Sequence, residues 1–325
     1  MKLPRRTFLY LAAGAVALPA MSRVAWAQSY PTRPVRVIVG FAPGGAPDII
    51  ARLLGPTLSE RLGQQLFVEN RTGAGSNIAT EAVVNAPPDG YTLLLVSPPN
   101  FVNATLYERL NYNFIRDIAP VAALVRVPNV MEVTPSLPVK TVPEFIAYAK
   151  ANPDKLNMAS GGNGTSVHMA GELFKMMTGV KMPHVPYRGV GASYPDLLSG
   201  QVQVMFDTTP GSIEFIRSGR LRALGLAALT RSPALPDLPT ISEFVPGYES
   251  SALHGVGAPR DTPAEIIEKL NKAINAALAE PEIKARLVDM GATVLGGSPE
   301  DFGKLMVAET EKWAKVVKFS GAKAE

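Results

Sequence analysis

Apolar residues fall in short, nearly continuous runs, separated by stretches with helical spacing. Residues 35–41 (VRVIVGF) form a β-branched run, the mark of a strand buried on both faces. Pro43-Gly44-Gly45 breaks it. A helix is predicted from about Pro47, because proline suits the first helical position, and Ile50, Leu53, Leu54 and Leu58 give it an apolar stripe. A strand at 66–69, a helix over 77–85 and a buried strand at 92–96 (TLLLV) follow, with Pro87-Pro88-Asp89-Gly90 as the turn before the last of these. A second series is predicted after Pro128. It has a helix at 143–151, a strand at 156–159 and a helix at 165–178 with Val167, Ala170, Leu173, Phe174 and Met177 on one face. Strands at 184–187, 202–206 and 221–227 then alternate with helices at 192–199 and 211–218. The tail is mostly helical: Ile266, Ile267, Leu270, Ile274, Ala277 and Leu278 share a face, and 299–317 forms a final amphipathic helix.

Repeated βα units predict an α/β fold with a mostly parallel sheet and helices on both faces. Two series predict two lobes with a cleft between them. Ligands of open α/β sheets sit beyond the carboxyl ends of the strands, which singles out the loops at 42–48, 97–100, 160–166 and 207–211.

The first 27 residues change the picture. They carry Lys2, Arg5, Arg6 and Arg23, no acid, an apolar run at 8–20 and a small-x-small site at Ala25-Trp26-Ala27. This predicts a cleaved secretory signal rather than a membrane span. Arg5-Arg6 followed by Phe8-Leu9 favours a twin-arginine signal over an ordinary one. Of 32 basic and 28 acidic residues, the signal holds four basics, so the remaining 298 residues carry 28 of each. A balanced charge argues against nucleic-acid binding. No other apolar stretch is long enough to span a bilayer. With no cysteine there is no disulfide, thiolate nucleophile or lipid-anchoring residue at the cleavage site. The expected product is periplasmic and untethered.

Each loop has two readings. In 42–48 (APGGAPD), glycines let the backbone approach a ligand and the following helix offers its N-terminus to an anion; the alternative is a plain βα turn. In 160–166 (SGGNGTS), hydroxyls and N–H groups suit a carboxylate, whereas Thr165 or Ser166 alone would serve as an N-cap. Asp207, followed by Thr208, reads as a cap or a site acid, and Arg188 as a cleft cation or a solvated side chain. Neither a P-loop nor GxGxxG is present, and no Gly-x-Ser-x-Gly or His-Glu-x-x-His occurs. His168 and Glu172 stand i,i+4 on a helix, which reads as a surface pair before a metal site. No cofactor is implied.

An ordered set of segments carries a resemblance: Tyr30-Pro31-Thr32-Arg33-Pro34, Phe41-Ala42-Pro43-Gly44-Gly45, Val68-Glu69-Asn70-Arg71-Thr72-Gly73-Ala74-Gly75 and Pro88-Asp89-Gly90-Tyr91-Thr92-Leu93. Residues 159–166 with His168, Ala170-Gly171-Glu172-Leu173-Phe174, His184-Val185-Pro186-Tyr187-Arg188-Gly189 and 231–240 (RSPALPDLPT) continue it. Over essentially the whole mature chain this resembles the Bug family, periplasmic solute receptors of tripartite tricarboxylate transporters. The resemblance implies a type II periplasmic-binding-protein fold of two α/β domains, expected as 28–128 plus 252–325 and 129–251. It implies a carboxylate ligand (di- or tricarboxylate, aromatic carboxylate or amino acid) and delivery to a large and a small membrane subunit. An exported hydrolase on the same scaffold and a ligand-presenting sensor are the alternatives. Family site positions map onto Phe41, Gly44, Gly45, Ser97, Ser160, Gly164, Thr165, Ser166 and Asp207; Ala46, Asn100, Asn163, Arg188 and Thr208 are added from the loops. Ala46-Pro47 stand where the family usually has Gly-Thr/Ser, and Pro98-Pro99 are unusual. Both exchanges replace hydrogen-bonding groups with apolar surface and predict a ligand less polar than citrate.

Overall fold

The computed structural model describes residues 30–153 and 155–324, so the predicted signal segment lies outside the described residues. In chain order the elements are β1 (Val35–Val39), α1 (Ala46–Leu62), β2 (Leu66–Asn70), α2 (Asn77–Val84), β3 (Thr92–Val96), α3 (Pro98–Leu106), the short α4 (Phe114–Asp117) and β4 (Ile118–Val133). Then come α5 (Val142–Ala151), β5 (Met158–Ser160), α6 (Ser166–Thr178), β6 (His184–Pro186), α7 (Tyr194–Ser199), β7 (Val204–Thr208), α8 (Thr209–Arg217) and β8 (Arg222–Leu226). The chain closes with β9 (Ser251–Pro259), α9 (Ala264–Leu278), α10 (Pro281–Asp289), β10 (Thr293–Val294) and α11 (Pro299–Ser320). Among the described residues no helix is long and apolar enough to cross a membrane.

The strands join in the order β2-β1-β3-β9-β4-β7-β5-β6, with β8 and β10 also paired to β4. β1, β2 and β3 are parallel, as are β5, β6 and β7. β4 links the two sets. Its residues 118–128 pair with β9, and its residues 129–133 pair with β7. The change of partner falls at Pro128-Asn129, where a proline without an N–H is tolerated. Asn129 N donates to Ser250 O at 3.1 Å, so the chain enters and leaves the second half of the sheet side by side.

Neither β4 nor β9 is among the strands predicted from the sequence. Pro120 and Pro128 interrupt one run, and Gly255 and Gly257 dilute the other. The glycines are demanded by packing, not by a turn: a Cβ at Gly255 would collide with Phe302, and one at Gly257 with Ile118. The apolar core runs through both halves, taking in Ile38, Phe101, Phe145, Phe174, Phe206, Tyr248 and Trp313. α11 rests on α3, β4 and α6 together and so buttresses both halves.

A candidate carboxylate-binding cleft

All four loops singled out from the sequence end on one cleft. An inner cavity of about 140 Å³ is lined by Phe41, Ala46, Pro47, Pro98, Pro99, Thr165, Ser166, Val167, Val190, Asp207, Thr208, Ala252 and His254. An outer compartment of about 410 Å³ shares Phe41, Ala46, Thr165, Val190, Asp207 and Thr208 with it and adds glycines 44, 45, 161, 189, 191 and 211. The N-termini of α1, α3, α6 and α8 therefore converge there. Their dipoles present partial positive charge, while no lysine or arginine lines either compartment.

Each loop is braced from behind. Asp48, buried in the first turn of α1, accepts from Gly44 N at 2.9 Å, Asn70 Nδ2 at 2.8 Å and Arg52 Nε at 3.0 Å. Burial alone would raise its carboxyl, but these donors outweigh it and hold the pKa below the usual range. The Gly44 amide is thereby occupied within the protein, and the Gly45 amide is left without a hydrogen bond in the same loop. Phe41 O accepts from Asn70 Nδ2 at 2.9 Å.

The 160–166 loop is held by two histidines. Ser160 Oγ and His184 Nε2 are 2.6 Å apart, and Gly164 N donates to His168 Nδ1 at 3.1 Å. Thr165 does cap α6: its Oγ1 accepts from His168 N at 3.3 Å and donates to Gly162 O at 2.8 Å. Its side chain also lines the cleft, so the two readings of this residue coexist. Ser166 lines the cleft with no hydrogen bond from its hydroxyl to protein.

Several expected residues stand behind the lining rather than in it. Ser97 N donates to Asn100 Oδ1, and Asn100 Nδ2 to Thr80 Oγ1, inside the start of α3. Ser160 and Gly164 are buried in the loop, and Asn163 Nδ2 donates to Lys323 O at 3.0 Å. Arg188 is exposed and lines neither compartment. Asp207 is no helix cap. It lies within β7, where Oδ2 accepts from Tyr194 Oη at 2.6 Å and Oδ1 from Thr208 N at 2.7 Å. His168 and Glu172 are not a surface pair either: both are buried, because α6 turns this face toward β6 and β7. Lys175 Nζ reaches Glu172 at 2.6 Å, and no group of three or more metal-binding side chains occurs among the described residues.

His254, Val190 and Tyr194 line the cleft without having been predicted. His254 was obscured by the glycines around it in β9. Its ring is buried, neither nitrogen makes a hydrogen bond of ordinary geometry, and burial lowers its pKa to about 4 although the nearby Val96 backbone favours protonation. It is a neutral imidazole.

Residues 50–321 match the family described as tripartite tricarboxylate transporter family receptor. The chain belongs to this family. It resembles the R. palustris receptor Rpa4515, solved with adipate, at 40% identity and a TM-score of 0.83, covering 90% of this chain and 99% of that one. MatC of Rhodopseudomonas palustris, solved with malate, is 35% identical with a TM-score of 0.79, over 89% and 100% of the two chains. The periplasmic binding protein BugD is also 35% identical, with a TM-score of 0.80 over 91% and 100%. The expected two-lobed periplasmic-binding-protein fold is therefore the fold of this tripartite tricarboxylate transporter receptor, and its role is solute binding.

Proposed function

We propose that this receptor works in the periplasm, captures an elongated carboxylate-bearing solute in the cleft and returns it unaltered to the large and small membrane subunits of its transporter. The carrying observation is the convergence of four helix N-termini on a lining without a single lysine or arginine. Such a lining stabilises a carboxylate through dipoles, N–H groups and hydroxyls. Ser166 and Thr208 are the hydroxyls we assign to the carboxylate, together with the Gly45 amide, while Thr165, whose hydroxyl is engaged with Gly162 and His168, shapes the wall. We assign 28–128 plus 252–325 to one lobe and 129–251 to the other.

The inner cavity is smaller than the 300–1,000 Å³ usual for a ligand site. A solute must extend into the outer compartment, which favours a chain over a compact, highly charged acid. Pro47, Pro98, Pro99 and Val167 make the inner wall apolar. The adipate of one relative is such a chain, whereas the malate of the other is a shorter and more polar dicarboxylate. Thermal-shift measurements with adipate, malate, citrate and benzoate test the reading. Adipate is expected to stabilise the protein more than citrate; tighter binding of citrate than of every mono- and dicarboxylate tried would refute it. Quantitative recovery of unaltered ligand after long incubation separates a receptor from a hydrolase.

A further inference from the structure

Glu132 on β4 is completely buried, and neither carboxylate oxygen has a hydrogen-bond partner. The strand register sets it beside Asp207. β4 and β7 are antiparallel, with Val130 opposite Asp207 and Glu132 opposite Met205. The two acids thus project from the same face of the sheet as diagonal neighbours. α7 and α8 cover that face. From α7, Tyr194 Oη donates to Asp207 Oδ2 and lies 2.8 Å from Gly211 O. From α8, the buried Ser212 hydroxyl faces Glu132 and Tyr194 but makes no hydrogen bond of ordinary geometry. A Cβ at Gly211 would lie 2.2 Å from Asp207 Oδ2, so any larger residue there would displace that carboxyl.

Among the described residues no basic group is paired with either acid; on α8, Arg217 faces Glu214. On β8, Arg222 donates to the carbonyls of Leu137 and Val139. On α6, His168 and Lys175 face Glu172. On β9, His254 is neutral. Arg126, nearer the start of β4, is paired with Glu309 of α11. Two carboxyl groups buried together without a cation do not both ionise. Burial first, and Asp207 second, push Glu132 well above the usual carboxylate range. Burial raises Asp207 to about 6, against the opposing hydrogen bonds from Tyr194 and Thr208.

We propose that Glu132 and Asp207 form a proton-holding pair in the wall of the cleft, so that an incoming carboxylate draws a proton onto Asp207 and is met by an O–H donor. The inference rests on the carboxylate reading above. Asp207 is the only carboxyl group lining either compartment, and ionised it would repel an anion. Glu132 keeps one proton at neutral pH. A bound anion raises the affinity of Asp207 for a second proton, taken from solvent and given back on release. Binding therefore tightens as pH falls.

Two measurements on the purified protein test this. Infrared spectroscopy at pH 7.5 is expected to show the carbonyl stretch of a protonated carboxylic acid, lost in Glu132→Gln, which keeps the shape of the side chain. Titration calorimetry with adipate is expected to show Kd rising about three- to tenfold per pH unit between about pH 6.5 and 8, with net proton uptake in buffers of different ionisation enthalpy. Asp207→Asn should flatten that dependence. A wild-type spectrum without the acid band overturns the pair whether or not adipate binds, and a flat Kd with no proton uptake overturns the coupling. An acid band with no adipate binding at either pH supports the pair and counts against the ligand class instead.

Discussion

The imidazoles of His168 and His184 stack face to face, 3.8 Å between centroids and 10° between planes. Burial, and then the neighbouring His168, lower the pKa of His184 to about 3 from 6.5. Between those values the unfolded chain binds more protons, so this stabilisation is complete above about pH 6.5 and is lost as pH falls toward 3. His254, at about 4, works in the same direction. Asp207, at about 6, works the opposite way, because below that value the folded state binds more protons. The informative quantity is therefore a difference. The drop in melting temperature from pH 7.5 to 5 should be smaller in His184→Gln than in the wild type; equal drops would remove His184 from the account.

Thr165 and Ser166 are adjacent, yet their substitutions should separate. Thr165→Ala loses a cap and should cost about 1 kcal/mol of stability, read as a melting point lower by about 2–4 °C. The Ser166 hydroxyl makes no hydrogen bond to protein, so Ser166→Ala should leave melting nearly unchanged. Loss of a hydrogen bond to a charged ligand should instead weaken adipate binding by roughly 1.5–3 kcal/mol, about 10- to 150-fold. Unaltered affinity in both variants would take this loop out of the site.

Gly164 has φ +75°, and an added Cβ would lie 2.6 Å from Leu106 Cδ2 on α3. Gly164→Ala meets backbone strain and a steric clash together. We expect a loss of about 1–3 kcal/mol in denaturant unfolding and weaker binding, since the loop must back away from the cleft.

Asp48 ties three donors to the 42–48 loop. Asp48→Asn keeps the shape but removes the charge beside Arg52, and should destabilise the protein by roughly 1.5–3 kcal/mol. Because the Asp48 pKa is held below the usual range, that contribution is present at neutral pH and lost in strong acid as the carboxyl protonates. The gap in unfolding free energy between wild type and Asp48→Asn should therefore narrow at low pH.

On the lobe assignment proposed above, Ala46 and Thr165 belong to opposite lobes. Both already line one cavity of about 140 Å³, the arrangement expected of a closed receptor, so a ligand-free protein that opens in solution should be drawn shut by binding. Solution scattering should show a smaller radius of gyration on adding adipate. Stabilisation by adipate with an unchanged scattering curve would argue against closure.

The loops that line the cleft were legible because a βα loop announces itself: β1, β3, β5 and β7 each end in a break followed by helical spacing. What escaped was set by tertiary contacts. β4 and β9 are continued across prolines and glycines by partners far away in sequence, Phe302 and Ile118 among them. Glu132 gave no signal, because only the register of β4 on β7 brings it to Asp207. Ser160 and Asn100 lie on cleft loops, but their polar groups turn inward to His184 and Thr80.

The backbone bond from Asn129 to Ser250 has a practical meaning. Residues 129–250 leave and rejoin the rest of the chain at touching points, so the two splice sites form a single seam already closed by hydrogen bonds. A hybrid receptor joining this segment to the complementary portion of a homologue needs that seam matched, and with it the face of α11 that packs on β4 and α6. Half the cleft can then be transplanted as a cassette, and the contribution of each lobe to ligand choice read from chimaeras.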